Sequence, residues 1–145
     1  MLTKPPDLEP TIERSNGHVV LQRKTLYLAP FGKARPRVTE NGTYMPREYR
    51  KNKVKLRQQF GTVLVEGLLK LTVVATRQMP KNWSQQQRRL MDGEPAQPSP
   101  DLDNILGAVM DALFPKNDNH IVSIEAHKVW GEVPQLEITI EKMGD

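Results

Sequence analysis

The sequence predicts an α+β domain in which helices pack against a mixed β-sheet. The 145-residue chain is long enough for one hydrophobic core. Its apolar residues recur with strand spacing in some segments and with helix spacing in others. In order, the segments indicate a strand, a basic loop, a helix, a strand, two helices and two strands. We therefore expect a flexible arm at residues 1–17 and a single domain at residues 18–145.

The first half of the domain is predicted from composition and turn residues. Residues 19–28 have strand composition. A basic loop or hairpin follows, turning at Asn41-Gly42, a dipeptide that favours tight hairpin turns. Pro46 suits the first turn of a helix, which ends at Gly61 or Gly67.

The second half is predicted in the same way. It contains a β-branched central strand at residues 68–77 and a short helix capped by Ser84. Residues 92–100 form a linker whose prolines exclude both a helix and a sheet ladder. A helix at residues 101–113 and two strands at residues 120–130 and 134–142 complete the domain. That helix buries one face, formed by Leu102, Ile105, Val109, Ala112 and Leu113.

Composition excludes several classes of protein. The chain has no cysteine, so disulfides, thiolate zinc sites and cysteine nucleophiles are excluded. The first residues lack the apolar run of a signal peptide, and the most apolar segment is too short to cross a membrane. We therefore expect a soluble cytoplasmic protein.

The charge is distributed unevenly, although the net charge is only +4. Residues 33–57 contain nine Lys or Arg and two Glu, whereas residues 90–145 contain eleven acids and three lysines. One explanation is a polyanion-binding face beside a cation-binding pocket. The other is charge pairing within the protein.

Three aspartates near the helix at residues 101–113 are candidate metal ligands. Asp101 and Asp103 lie at its start, where one acid would serve as a cap, but capping does not explain Asp118. A calcium loop beginning at Asp101 is excluded because apolar residues occupy ligand positions, and the three histidines lack zinc-ligand spacing. A hard divalent cation, Mg²⁺ or Mn²⁺, remains as the alternative to capping.

Three segments together resemble the RusA-like Holliday junction resolvases. They are KARPRVTENGTYMPREY, MPKNWSQQQRRLMDGEP and PDLDNILGAVMDALFPKNDNHIVSIEAHKVW, and the resemblance covers about residues 24–142. The shared features are R-P-R before a proline-initiated helix, a Trp-Ser helix, a proline-rich linker into P-D-x-D-N, and D-A-L at the end of a helix. The resemblance implies a RusA-like fold and a Mg²⁺-dependent endonuclease that resolves four-way DNA junctions in recombination and repair.

The resemblance also implies roles for individual residues. The family's catalytic, metal-binding carboxylates correspond to Asp101, Asp103 and Asp118, with Mg²⁺ as cofactor and Mn²⁺ as a substitute. Four residues are assigned supporting roles: Asn104, Asp111, Lys116 and Lys128. Phosphate contacts are assigned to six basic residues of the loop and the first helix: Lys33, Arg35, Arg37, Arg50, Lys53 and Arg57.

Two symmetric cuts in a junction imply a homodimer with two sites. The resemblance further implies a phage or prophage origin, and thus a bacterial or phage-infected cell.

The chain departs from the family pattern at three positions. Ser99 and Gly107 stand where the family has lysines, and Asn117 replaces the first of two paired acids before the last strands. Lys116 is a candidate replacement for the missing helix lysine. The departures leave open a branched-DNA-binding protein with weak or no cleavage. An RNA-binding domain is disfavoured, because no strand is rich in aromatic residues.

Overall fold

The computed structural model describes residues 14, 15 and 17–144. Within this part of the chain there are seven strands and three α-helices. The strands are β1 (Arg14–Ser15), β2 (His18–Leu26), β3 (Arg37–Thr39), β4 (Gly42–Tyr44), β5 (Leu69–Gln78), β6 (Ile121–Gly131) and β7 (Gln135–Lys142). The helices are α1 (Arg47–Phe60), α2 (Gln85–Met91) and α3 (Leu102–Leu113), and a 3-10 turn covers Asp118–His120.

Five strands form one mixed sheet in the order β1-β2-β7-β5-β6. β5 and β6 are parallel, and the other neighbours are antiparallel. β6 and β7 follow each other in the sequence but do not pair, because β5 lies between them. β3 and β4 form a separate hairpin that turns at Glu40 and Asn41, one residue earlier than Asn41-Gly42. The predicted α+β class with a mixed sheet is confirmed.

The predicted arm differs from the structure at its end. Residues 1–13 and 16 lie outside the described residues. Arg14 and Ser15 pair with Val19 and His18 of β2. Gly17, with a φ of 81°, adopts the left-handed conformation in the turn between the two strands.

The core lies between one face of the sheet and helices α1 and α3. Alternate residues of β5, such as Leu71 and Val73, are fully buried on that face. Phe60 of α1 and Ile105 of α3 pack against them. Burying a side chain of this size contributes about 1.5–3 kcal/mol, so this packing holds both helices in fixed positions on the sheet.

The helices begin and end near the residues from which their ends were predicted. α1 begins after Pro46 and ends at Gly61, whose φ of 84° favours glycine. The Ser84 hydroxyl accepts a hydrogen bond from the N–H of Gln87 at the start of α2. α3 begins after Asp101, as expected.

The proline-rich linker contains no strand, as expected, but it is hydrogen-bonded to the sheet through one isolated bridge. Pro95 forms a bridge with Val129 of β6. The N–H of Ala96 donates to the carbonyl of Lys128, and the carbonyl of Glu94 accepts from the N–H of Trp130, both at 2.9 Å. Proline lacks only its own backbone N–H donor, so the residues beside it can still form hydrogen bonds with the edge strand β6. The linker is therefore fixed to the sheet just ahead of α3.

Candidate active site

Lys128 of β6 holds the end of the linker. Its ammonium donates to the carbonyls of Gln97, Pro98 and Pro100 at 3.1, 2.9 and 2.9 Å. An ammonium group has three N–H donors, and here each has a carbonyl partner. Lys128 thereby fixes the backbone up to the residue before Asp101, at the start of α3.

Asp101 and Asp103 present free carboxylates at the start of α3. Both residues are exposed. Asp101 is the N-cap residue by position, but its side chain makes no capping hydrogen bond. Over residues 17–144, neither carboxylate takes part in a hydrogen bond or ion pair. A capping hydrogen bond therefore does not explain why Asp101 is an aspartate, and both groups are free to bind a ligand.

The loop before the R-P-R segment packs directly on the first turn of α3. The N–H of Lys33 donates to the carbonyl of Asn104 at 2.9 Å. A Cβ at Gly32 would lie 3.2 Å from the Cβ of Asn104 and 3.5 Å from that of Pro100, so this approach favours glycine. The structure thus brings the start of the basic loop to the carboxylates of α3, a contact that the sequence alone did not reveal.

Asp118 lies beyond the C-terminal end of α3, whereas Asp101 and Asp103 lie at its N-terminal end. It begins the 3-10 turn that leads into β6 at Ile121. From Ile121 to Lys128 the strand rises about 3.3 Å per residue, or about 23 Å in all, and Lys128 contacts the linker beside Asp101. Lys116 lies on the same distant side, after the end of α3. Among the described residues, no three acidic or histidine side chains form a group that could hold a metal ion.

Asp111 links α3 to α1. Its carboxylate accepts hydrogen bonds from the Tyr49 hydroxyl at 2.8 Å and from the Lys53 ammonium at 2.9 Å. Burial raises the pKa of Asp111, but the hydrogen bonds from Lys53 and Tyr49 and the charges of Lys53 and Lys33 outweigh it, so the pKa is lowered. Burial, and then the bond to Asp111, raises the pKa of the Tyr49 phenol. The charge of Lys53, predicted to contact DNA, is thus engaged within the protein.

A family model matches most of the chain. The model of Endodeoxyribonuclease RusA matches residues 28–141, from the loop before the hairpin to the last strand. The chain belongs to the RusA endodeoxyribonuclease family. The expected family membership is therefore confirmed. No curated protein matches the chain, and no helix in its described part is both long and apolar enough to cross a membrane.

In this RusA-family chain the exposed side of α1 carries a basic stripe, of which the sequence predicts only a part. The stripe consists of Arg47, Arg50, Lys51 and Lys55, which line a shallow depression together with Val54. These residues recur at helical spacing opposite the buried positions. Only Arg50 had been predicted to contact DNA. The spacing would also have placed Lys53 near Tyr49, four residues earlier, and so near the core.

Asp111→Asn should destabilise the fold at neutral pH, because the carboxylate that joins α3 to Tyr49 and Lys53 of α1 loses its charge. We expect the free energy of unfolding in urea at pH 7 to fall by about 1.5–3 kcal/mol. The folded pKa of Asp111 is lowered. Its stabilising contribution is therefore present above its unfolded pKa of about 3.9 and is lost as the pH falls through the folded value.

The difference in the free energy of unfolding between Asp111→Asn and the parent should consequently become smaller from pH 5 to pH 3. Glu40→Gln, on the exposed turn of the β3–β4 hairpin, is the matched control and should leave stability unchanged. A constant difference across this pH range would contradict the ionic part of the link.

Proposed function

We propose that this RusA-family protein is a Mg²⁺-dependent endonuclease that resolves four-way DNA junctions by paired, symmetric cuts. One observation supports it above the others. The carboxylates of Asp101 and Asp103, which have no partner among the described residues, stand at the start of a fixed helix in a chain of an endodeoxyribonuclease family. The exposed basic residues of the loop and α1 lie on the elements that flank this helix.

The donor set suits a hard divalent cation. Mg²⁺ prefers oxygen ligands and is commonly held by one or two carboxylates while keeping several waters. Asp101 and Asp103 would be those carboxylates, with Mn²⁺ as a substitute. When bound, the metal would activate water and neutralise charge at the phosphodiester. Lys128, through the linker, would keep the two carboxylates in place.

A site that also includes Asp118 would require two chains. Within one chain Asp118 lies on the far side of α3 from Asp101, and twelve helical residues span about 18 Å. In a homodimer with two-fold symmetry, the partner subunit's Asp118 would reach Asp101 and Asp103, and the converse contact would form the second site. Such a dimer has two identical sites, which suits two symmetric cuts.

Backbone phosphates of the junction would be held by basic side chains around the site. The proposed contacts from the loop and hairpin are Lys33, Arg35 and Arg37. Those from α1 are Arg50 and Arg57, extended by the stripe residues Arg47, Lys51 and Lys55. Contacts of this type position DNA without reading its sequence.

The decisive experiment is cleavage of a synthetic four-way junction in Mg²⁺. The parent protein should cut two opposed strands, whereas Asp103→Asn should lower the rate by at least about a hundredfold. Junction binding by this variant should persist, because removing a carboxylate charge reduces repulsion of phosphate. Asp92→Asn, which removes an exposed carboxylate after α2, is the matched control and should cleave like the parent.

A branched-DNA-binding protein without cleavage is the second candidate. Ser99 and Gly107 favour it, because each stands where the family resemblance expects a lysine. If the parent protein binds the junction but leaves every strand intact in both Mg²⁺ and Mn²⁺, this second function replaces the first.

A further inference from the structure

Gly107, in the middle of α3, is covered by the side chain of Lys33. A glycine inside a helix costs about 1 kcal/mol relative to alanine. A Cβ at Gly107 would lie 3.4 Å from the Cδ and 3.5 Å from the Cβ of Lys33. The hydrocarbon part of Lys33 therefore runs across the surface of α3 at this glycine.

This placement puts Lys33 on the same face of the helix as a candidate metal ligand. Gly107 follows Asp103 by four residues, which is one helical turn, and the two positions share a face. The backbone of Lys33 is fixed there as well, through its N–H bond of 2.9 Å to Asn104. The lysine is thus held at both its backbone and its stem.

The ammonium of Lys33 is available to a ligand. The residue is exposed, and in the described part of the chain its side chain has no hydrogen bond or ion pair. Its charge acts on Asp111, but that carboxylate is already satisfied by Tyr49 and Lys53. The charge of Lys33 therefore helps to lower the pKa of Asp111 only through space, without a direct hydrogen bond or ion pair.

We propose that Lys33 is a catalytic residue that contacts the reacting phosphate beside Asp101 and Asp103. This inference rests on the proposed nuclease function. The positive charge at this face of α3 comes from the loop, whose lysine stem lies over Gly107. Lys116, the replacement suggested by the sequence, lies two residues before Asp118, so in the proposed dimer it would approach this site only from the partner subunit.

Lys33→Met tests the charge while keeping a long apolar stem. With enzyme in excess over a four-way junction in Mg²⁺, the cleavage rate should fall by about 10²-fold. Lys33→Arg, which keeps the charge, should retain more activity than Lys33→Met. The matched control is Lys70→Met, because Lys70 lies on the sheet face away from the helices, where it pairs with Glu125. This control should cleave like the parent.

Moving the charge separates a catalytic role from a packing role. In the double variant Lys33→Met and Gly107→Lys, a lysine on the helix faces the same phosphate, and at least part of the lost rate should return. Gly107→Ala alone tests the packing: it should raise stability by up to about 1 kcal/mol, because its Cβ would make only ordinary van der Waals contact with Lys33.

The outcomes separate this inference from the proposed function. If the parent cleaves and Lys33→Met cleaves equally well, the role of Lys33 is refuted while the nuclease function stands. If the parent cleaves no junction, the nuclease function fails. The salt dependence of junction binding then tests whether Lys33 contacts a phosphate. A Lys33–phosphate contact should make the slope of log K against log salt shallower by about 0.9 in Lys33→Met. A slope equal to that of Lys70→Met would overturn the contact.

Discussion

A mixture of two inactive variants, Asp103→Asn and Asp118→Asn, should regain the ability to nick a four-way junction. Each variant alone lacks one carboxylate in both of its sites. If each site takes Asp103 from one chain and Asp118 from the other, a mixed dimer has one site with both substitutions and one site with none. The intact site should cut one strand of the junction.

This result would depend on the distance between the two ends of α3. Asp118 precedes β6 and Asp103 lies near the linker that Lys128 holds at the other end of that strand. A site built within one chain would leave both sites of the mixed dimer defective, one through each substitution. The experiment therefore distinguishes a shared site from a single-chain site by the presence or absence of nicking.

The measurement requires mixed dimers of known composition. Co-expression with two different affinity tags and purification on both would isolate them. We expect nicks in one strand only, at about the rate of a single parental site. Doubly tagged dimers that both carry Asp103→Asn are the control and should remain inactive. No nicking by the mixed dimer would show that the two carboxylates act separately or within one chain.

The sequence predicted those elements whose ends are determined by local chemistry. Pro46 and Gly61 bound α1 because proline suits a helix start and glycine tolerates a positive φ. Ser84 caps α2 for an equally local reason. The carboxylates of Asp101 and Asp103 were also placed correctly at a helix start, since their neighbours in sequence decide this.

The remaining features depend on contacts between distant segments. Pairing of the linker with β6 was missed because the partner strand lies about thirty residues away, and Pro95 argued against it locally. The distance from Asp118 to Asp101 is determined by the length of β6 and by the contact of Lys128. The contact between Lys33 and Gly107 joins two segments that are distant in the sequence, and neither helix nor strand periodicity predicts it.

Lys128→Met should strongly reduce cleavage although Lys128 itself never touches the DNA in our proposal. The variant keeps the apolar stem but leaves three carbonyls, those of Gln97, Pro98 and Pro100, without their charged donor. Hydrogen bonds to charged groups contribute about 1.5–3 kcal/mol to stability, and we expect a loss of that size for the whole cluster. The linker would then move, and Asp101 with it.

The effect on catalysis should exceed the effect on stability. A displacement of about 1 Å in a positioned group can cost a hundredfold in rate, so we expect a loss of that order at temperatures where the variant is folded. Lys128→Arg should not restore the rate, because a planar guanidinium cannot direct three donors as an ammonium does. Lys70→Met, which removes a charge from neighbouring β5, is the control.

The dependence on Mg²⁺ separates positioning from general destabilisation. If Lys128 holds Asp101 in place for the metal, the Mg²⁺ concentration for half-maximal cleavage should rise by about 10–100-fold in Lys128→Met, as for other residues that orient metal ligands. High Mg²⁺ should then recover part of the rate. A lower rate with an unchanged Mg²⁺ requirement would contradict positioning, because a partly unfolded population loses activity at every metal concentration alike.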